Sequence, residues 1–184
     1  GYPADRTFVI RDDVEAIDGV PCVASIDALP REVDLLVLSI AAPAVPGVLA
    51  QAMASGKVGA VLLIPGGMGE TEGGRGIEQQ IVELVDRQGG SDRPVLIGNN
   101  SLGLVSHRAG FDSLFIPREK LPRTEGGLGD VALISQSGAF MITRMSKLDY
   151  LNPAYQISLG NQIDARISHF VEAVAAAEDA PSTF

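Results

Sequence analysis

Two serines flank a glutamine, Ser135-Gln136-Ser137, at the end of the apolar run VALIS, and Gly138 and Ala139 follow at once. Small and hydroxyl residues on a strand-to-helix turn support three roles. The segment fits the loose form of a nucleophile elbow, small–any–Ser–any–small, in which Ser137 would attack an acyl carbon. It also fits an anion site. The first amides of a helix lack intrahelical acceptors and carry about half a positive charge, and the hydroxyls of Ser135 and Ser137 add donors. The third role is helix capping by Ser137 alone. A hydrolase needs a base beside the serine, and the chain has two histidines, His107 and His169. His169 follows Ser137 so soon that little room remains for a strand bearing the acid, so the nucleophile reading is the weakest. Between the other two, the local sequence favours capping.

Four further strand ends share this character. Ala41-Ala42-Pro43 follows VDLLVLSI, Pro65-Gly66-Gly67 follows GAVLLI, Gly98 to Gly103 follows PVLI, and Gly160-Asn161-Gln162 follows YQISL. Small and amide residues let a ligand approach backbone N–H groups, and open α/β sheets bind ligands at the carboxyl ends of their strands. Parallel sheets also need small residues there without any ligand, so no single turn decides the matter. No GxGxxG follows a first strand and no Gly-x-x-x-x-Gly-Lys-Ser/Thr occurs, so simple nicotinamide and P-loop readings lack their residues. Gly67-Met68-Gly69 stands several residues ahead of its helix. Cys22 is the single cysteine, which excludes an internal disulfide and a cysteine-rich metal site, and no metal ligands are assigned. His107 reads as a loop histidine.

These turns need strands and helices to hold them. Residues 33–40 are an almost unbroken apolar run, as suits a strand covered on both faces. Val45, Val48, Leu49, Ala52 and Met53 fall at helical spacing, with Gly56 as the stop. GAVLLIPGG (59–67) is strand-like. Ile77, Ile81, Leu84 and Val85 mark a helix ending at Gly89-Gly90, and 94–98 make the next strand. A short apolar run, 113–117, precedes the polar, Gly-rich stretch 118–129, which reads as an interdomain linker. Strand 131–135, a helix over 137–149, strand 155–160 and a helix bearing Ile167, Phe170, Val171 and Val174 complete the chain. Strands alternating with helices through short connections predict an α/β fold with doubly wound parallel sheets.

Composition agrees with a folded protein: 184 residues, 46% apolar and 20% charged. The net charge of −9 argues against a nucleic-acid partner, which demands cations, yet leaves room for a small anion at a helix end. No apolar run approaches the roughly 18–20 residues of a membrane span. Cysteine usage points to a reducing cytoplasm. The chain opens Gly-Tyr-Pro, without an initiator Met, and its first clear strand comes late, which reads as a piece of a longer polypeptide.

Taken in order, the turns carry a family resemblance. VPCVASIDALPREVDLLVLSIAAPAV resembles the middle of the CoA-binding domain of the nucleoside-diphosphate-forming (ADP-forming) acyl-CoA synthetases, relatives of the succinyl-CoA synthetase α subunit. GNNSLGLVSHRAGFDSLF is similar to the family's Gly-Pro-Asn-Cys/Ser-Leu-Gly segment. VALISQSGAF resembles the Ser-Gln-Ser-Gly turn that opens the flavodoxin-like ligase domain, and SLGNQID its following turn. The resemblance implies a Rossmann-like CoA-binding domain over residues 1–122, lacking its first βα unit, and the start of the flavodoxin-like domain over 123–184. It implies interconversion of acyl-CoA, ADP and phosphate with acid, CoA and ATP through an acyl phosphate and a phosphorylated histidine. Ala42, Pro43, Pro65, Gly66, Asn100 and Ser101 then carry over as CoA-binding. Ser135, Gln136, Ser137 and Gly138 carry over as phosphate-binding, with Gly160 and Asn161 as further ligand-turn residues. The phosphorylated histidine is expected beyond this chain, so no catalytic residue is assigned within it. CoA is the implied cofactor, and ATP or ADP with Mg2+ would bind an ATP-grasp domain or β subunit. A small carboxylic acid is the implied substrate, and an oligomer, without nucleic acid or membrane, the implied assembly. Asn99 stands where the family has Pro, and Ala42 where Val is common. Those departures keep a second reading open, a non-catalytic CoA-sensing module of a protein lysine acetyltransferase.

Overall fold

The computed structural model describes residues 2–90, 92–117, 120–121 and 127–184. Its first strands lie where no long apolar run announces them. They are β1 (Val9–Ile10), β2 (Ala16–Ile17) and β3 (Val20–Val23), in the order β1-β3-β2. Asp18 and Gly19 join β2 to β3 at φ values of 50° and 80°. Both are left-handed, as a two-residue hairpin turn of the right twist requires.

The second sheet is built as the apolar runs predict. β4 (Val33–Leu38), β5 (Val58–Leu63) and β6 (Val95–Ile97) are parallel neighbours in that order. Helices α1 (Val45–Ser55) and α2 (Arg75–Gln88) make the crossovers. α1 has Pro46 in its first turn, where no N–H is missed, and ends at Gly56 with φ 62°. Val45, Leu49, Ala52 and Met53 form its buried stripe, and Ile81 is the buried residue of α2. With Leu36, Leu38, Val61, Leu63 and Leu96 they make one core on the helix-covered face. Each fully buried aliphatic chain there contributes about 1.5–3 kcal/mol.

The third sheet departs from the expected all-parallel pattern. β7 (Gly103–Ser106), β8 (Phe111–Asp112), β9 (Gly129–Ser135) and β10 (Pro153–Ser158) lie in the order β8-β7-β10-β9. β9 and β10 are parallel through the crossover helix α3 (Gly138–Lys147), whereas β7 is antiparallel to both β10 and β8. The reason is connectivity: only four residues, 107–110, separate β7 from β8, enough for a hairpin and too few for a crossover. The apolar run 113–117 is not a strand. Ser113 folds back on β7, its N–H donating to the Leu104 carbonyl and its Oγ accepting from Leu104 N–H, each at 3.0 Å. Within the expected linker, 118–119 and 122–126 lie outside the described residues, as does the expected domain boundary at 122/123. α4 (Ile167–Ala175) is the last helix. Among the described residues no helix is long and apolar enough to cross a membrane.

The two larger sheets are joined by a shared core. Leu62 and Ile97 pack with Ala132, Ile157, Leu159, Ala165 and Val174, while Leu35, Ile134 and Phe170 flank them. The chain after β10 runs beside β6: Ile163 N–H donates to the Gly98 carbonyl (2.8 Å) and Ala165 N–H to that of Leu96 (3.0 Å). Between those bonds Asp164 takes both guanidinium nitrogens of Arg93, each at 2.8 Å, and the Leu96 N–H at 2.9 Å.

Candidate functional site

Parallel strands release their chains at one edge, and there five small-residue turns stand. β5 ends at Leu63, and Pro65-Gly66 follows. The chain after β6 returns across it: Asn100 N–H donates to the Pro65 carbonyl (2.9 Å) and Ser101 N–H to that of Leu63 (3.2 Å). Asn100 sits at φ 56°. A Cβ on Gly66 would meet Asn100 Oδ1 at 2.8 Å, so glycine lets that amide lie flat against the turn. Both residues are exposed.

Ser101 is placed differently from its expected role at the ligand. It is 2% exposed, its Oγ donates to the Ser158 carbonyl (2.6 Å) and accepts from Gly103 N–H (3.1 Å). Ser158, buried at the end of β10, answers with its own Oγ, which accepts from Leu102 N–H at 3.1 Å. This reciprocal pair bolts the loop after β6 to the end of β10. Nothing in the sequence marked Ser158 except its place as a small polar residue closing an apolar strand.

Gly160 and Asn161 continue from there. Gly160 has φ 61°, and a Cβ on it would sit 1.9 Å from the Asn99 carbonyl oxygen, a contact that backbone cannot relieve. Asn161 N–H donates to that same oxygen (2.8 Å), and its Nδ2 donates to Glu70 Oε1 (2.7 Å). Burial opposes ionisation of Glu70. The bond from Asn161 and the amides of Glu70, Gly69 and Gly67 outweigh it and hold the carboxyl below its usual range. A carboxylate here disfavours a phosphate at Asn161 and favours a group that brings donors. Asn99 is fully buried, and neither its Nδ2 nor its Oδ1 has a partner among the described residues.

The Ser135–Gly138 turn meets this cluster from the other side. Ser135 Oγ accepts from Ser137 N–H (3.1 Å) and donates to the Ser137 carbonyl (3.0 Å), which folds the turn tightly. Ser137, extended at φ −91° and ψ 117°, caps α3: its Oγ accepts from Phe140 N–H at 3.2 Å. A Cβ on Gly138 would meet the Leu102 side chain at 2.9 Å, so glycine allows α3 to start against the loop after β6. Gln136 is exposed at the tip. Of the first amides of α3, which lack intrahelical acceptors, that of Phe140 is satisfied by the cap. The serine hydroxyls thus shape the turn and take the Phe140 amide.

The histidines are engaged elsewhere. His107 Nε2 lies 3.1 Å from Gln156 Nε2, and His169 Nδ1 accepts from Arg166 N–H at 3.2 Å. With Ser137 Oγ committed to the helix cap, the groups that a Ser–His nucleophile would use are bonded to other partners.

Ala42 and Pro43 stand apart. They form one 3-10 turn, Ala42–Ala44, leading into α1, with Ala42 half-buried on the core and Pro43 exposed. The pairing of Leu38 with Leu63 brings their strand beside that of Pro65-Gly66. The loop 99–101 thus contacts both 65–66 and 160–161, Gly138 abuts Leu102 just after that loop, and 42–43 flanks the group.

A model of the CoA binding domain matches residues 4–106, and one of the succinyl-CoA ligase like flavodoxin domain matches 128–183. The chain is 36% identical over 143 residues to the acetate–CoA ligase (ADP-forming) I α subunit of Pyrococcus furiosus, covering 76% of this chain and 29% of that protein. Over 170 residues it is 28% identical to acetate–CoA ligase (ADP-forming) I of Archaeoglobus fulgidus, covering 91% and 23% respectively. It superposes with a TM-score of 0.79 on a dinucleotide-forming acetyl-coenzyme A synthetase 1 of Ca. Korarchaeum cryptofilum in complex with phosphate and ADP. That match, at 24% identity, covers 94% of this chain and 35% of the other and establishes the fold. The chain spans no more than 29% of either curated relative named here.

Proposed function

The chain belongs to the CoA binding domain family, and from that premise we propose that it is the CoA- and phosphate-binding part of a nucleoside-diphosphate-forming acyl-CoA synthetase. The reaction is acyl-CoA, ADP and phosphate to carboxylic acid, CoA and ATP, through an acyl phosphate and a phosphohistidine supplied from outside these residues. Acetate, the acid in the relatives' names, is the first acid to test. An ATP-grasp domain or β subunit brings the nucleotide and Mg2+, and the assembly is cytoplasmic.

The observation that carries this reading is the convergence of strand-end turns from two sheets on the loop after β6, where Gly138 abuts Leu102 and Asn161 bonds Asn99. An acyl group can pass between a thiol and a phosphate only if both are held side by side. The residues fit a CoA moiety. Gly66 leaves backbone exposed beside the Asn100 amide, and the two unpaired polar atoms of Asn99 lie in the same loop. Bound CoA supplies the thiol that accepts or releases the acyl group. Pro65, Gly66 and Asn100 line its path, with Ala42 and Pro43 at the flank, while Ser101 acts as a buried brace. On the other side, the amides after Ser137 stabilise charge on a phosphoryl group without reorganising, because Ser135 and Ser137 fix the turn. Gln136 reaches over that anion from the tip.

Calorimetry on the polypeptide that contains this chain tests the reading with CoA and orthophosphate. Gly66→Val, which displaces Asn100, should weaken CoA at least tenfold and leave phosphate unchanged. Ser137→Asp keeps a helix cap yet adds a negative charge, and should do the reverse. CoA binding without phosphate binding would assign the chain to the non-catalytic CoA-sensing reading. Binding of neither by the folded protein would overturn both.

A further inference from the structure

We propose that a cavity beneath α3 is a binding site for a small aromatic molecule that carries one hydrogen-bond donor, a substituted phenol being the simplest member of the class. The cavity, about 330 Å³, lies between α3 and one face of the third sheet. It reaches Leu148, Asn152 and Pro153, at the end of α3 and the start of β10. The turns 135–138 and 160–161 stand at the other ends of β9 and β10, with Phe140 in the first turn of α3 at the nearer end of the cavity, and the proposal does not depend on the CoA reading.

Its walls are apolar where sheet meets helix: Val105, Val131 and Leu133 face Met145 and Leu148. Such walls favour an apolar guest, and Asp112 and Arg144 are the charged side chains of the lining. The lining holds two amides, Asn152 and, only 4% exposed, Gln156. Its Nε2 lies 3.1 Å from His107 Nε2. An amide nitrogen only donates, so in this arrangement the ring nitrogen accepts. That bond turns the other end of the amide away from the histidine. Oε1 is buried and has no partner among the described residues. A buried carbonyl left unpaired is unfavourable, and a donor on a guest molecule would relieve it. The lip supplies the preference for a ring. Phe140 is 49% exposed at the cavity wall, with the Arg144 guanidinium carbon 4.8 Å from its ring centroid. An aromatic guest can pack edge-on against that pair, while an aliphatic one cannot use the ring quadrupole. The volume falls within the range of about 300–1,000 Å³ usual for small-molecule pockets.

The test uses the polypeptide that contains this chain, 4-propylphenol, and the methyl ether of that phenol, which keeps the ring and propyl group but has no donor. Binding is read by amide chemical shifts and calorimetry. The phenol should bind saturably, at least tenfold more tightly than the ether, with shifts at Val105, Leu133, Met145 and Gln156. In Gln156→Leu that preference should vanish while the ether still binds. Equal affinity of the wild-type chain for phenol and ether would overturn the proposal. So would the absence of saturable shifts in folded protein, or shifts confined to residues outside the cavity. The wild-type comparison decides even where Gln156→Leu does not fold.

Discussion

Replacing Asp164 by Asn removes one charge from the joint between the two larger sheets and leaves its shape. In the native chain the carboxylate accepts from Arg93 Nη1 and Nη2, each at 2.8 Å, and from Leu96 N–H at 2.9 Å. Asn can keep the Leu96 bond and one guanidinium bond, but Arg93 loses its counter-ion while its side chain is 17% exposed. Exposed pairs are worth about 0–1 kcal/mol, and breaking fully buried ones costs about 3–5 kcal/mol. With both side chains mostly covered, the expected loss is about 2–3 kcal/mol, or roughly 30- to 150-fold in the folding equilibrium. The pH dependence has a definite sign. The hydrogen bond from Arg93 holds the Asp164 carboxyl below its ordinary range against the effect of burial, aided by the Leu96 amide and the charges of Arg93 and His169. A depressed carboxyl contributes stability that is complete above the unfolded value of about 4 and is lost as pH falls through the folded value. Urea titrations of both proteins at pH 7, and then in steps below pH 4, measure this. The gap should be about 2–3 kcal/mol at pH 7 and should close in acid. A gap under about 0.5 kcal/mol at pH 7, or one that stays constant below the folded value, would refute the reasoning.

Substitutions at three other positions probe the site's construction. Gly160→Ala combines a left-handed φ of 61° with a Cβ 1.9 Å from the Asn99 oxygen. It should cost about 2–4 kcal/mol in thermal or urea denaturation, and an unchanged midpoint would show that the loop can retreat. Ser137→Ala removes the cap on α3 and should cost about 1 kcal/mol, whereas Ser137→Asp should restore most of it; equal losses in both would count against the cap. Asn99→Leu is nearly isosteric and deletes two unpaired buried polar atoms. Its urea midpoint should rise by about 1 kcal/mol of stability, and a fall of that size would show the carboxamide to be satisfied.

Much of this architecture is written locally. The apolar runs that become β4 and β5 announce strands, although β4, at the end of its sheet, leaves Asp34 and Val37 exposed, and the spacing of Val45, Leu49, Ala52 and Met53 is that of a helix with one buried stripe. Gly56 and Ser137 announce the helix ends through chemistry that acts within a few residues. The order of the turns also carried the family. Asp18-Gly19 is a readable hairpin signal too, although its flanking strands are too short to show as apolar runs.

Other features had no local trace. β7 pairs antiparallel with a strand about fifty residues later, and the register of Val105 with Gln156 leaves no mark on either stretch alone. The Ser101–Ser158 pair, the clamp of Asp164 on Arg93 and the fit of Gly160 against Asn99 are meetings of distant residues, each ordinary in its own neighbourhood. Even Ser137 could be read from sequence as cap, anion ligand or nucleophile, and its bond to Phe140 N–H assigned its hydroxyl to the cap. Periodicity and capping are short-range, so the amino-acid sequence determines them by itself. Which strand ends touch, and which hydroxyls remain available there, depends on contacts that exist only once separate sheets share one core.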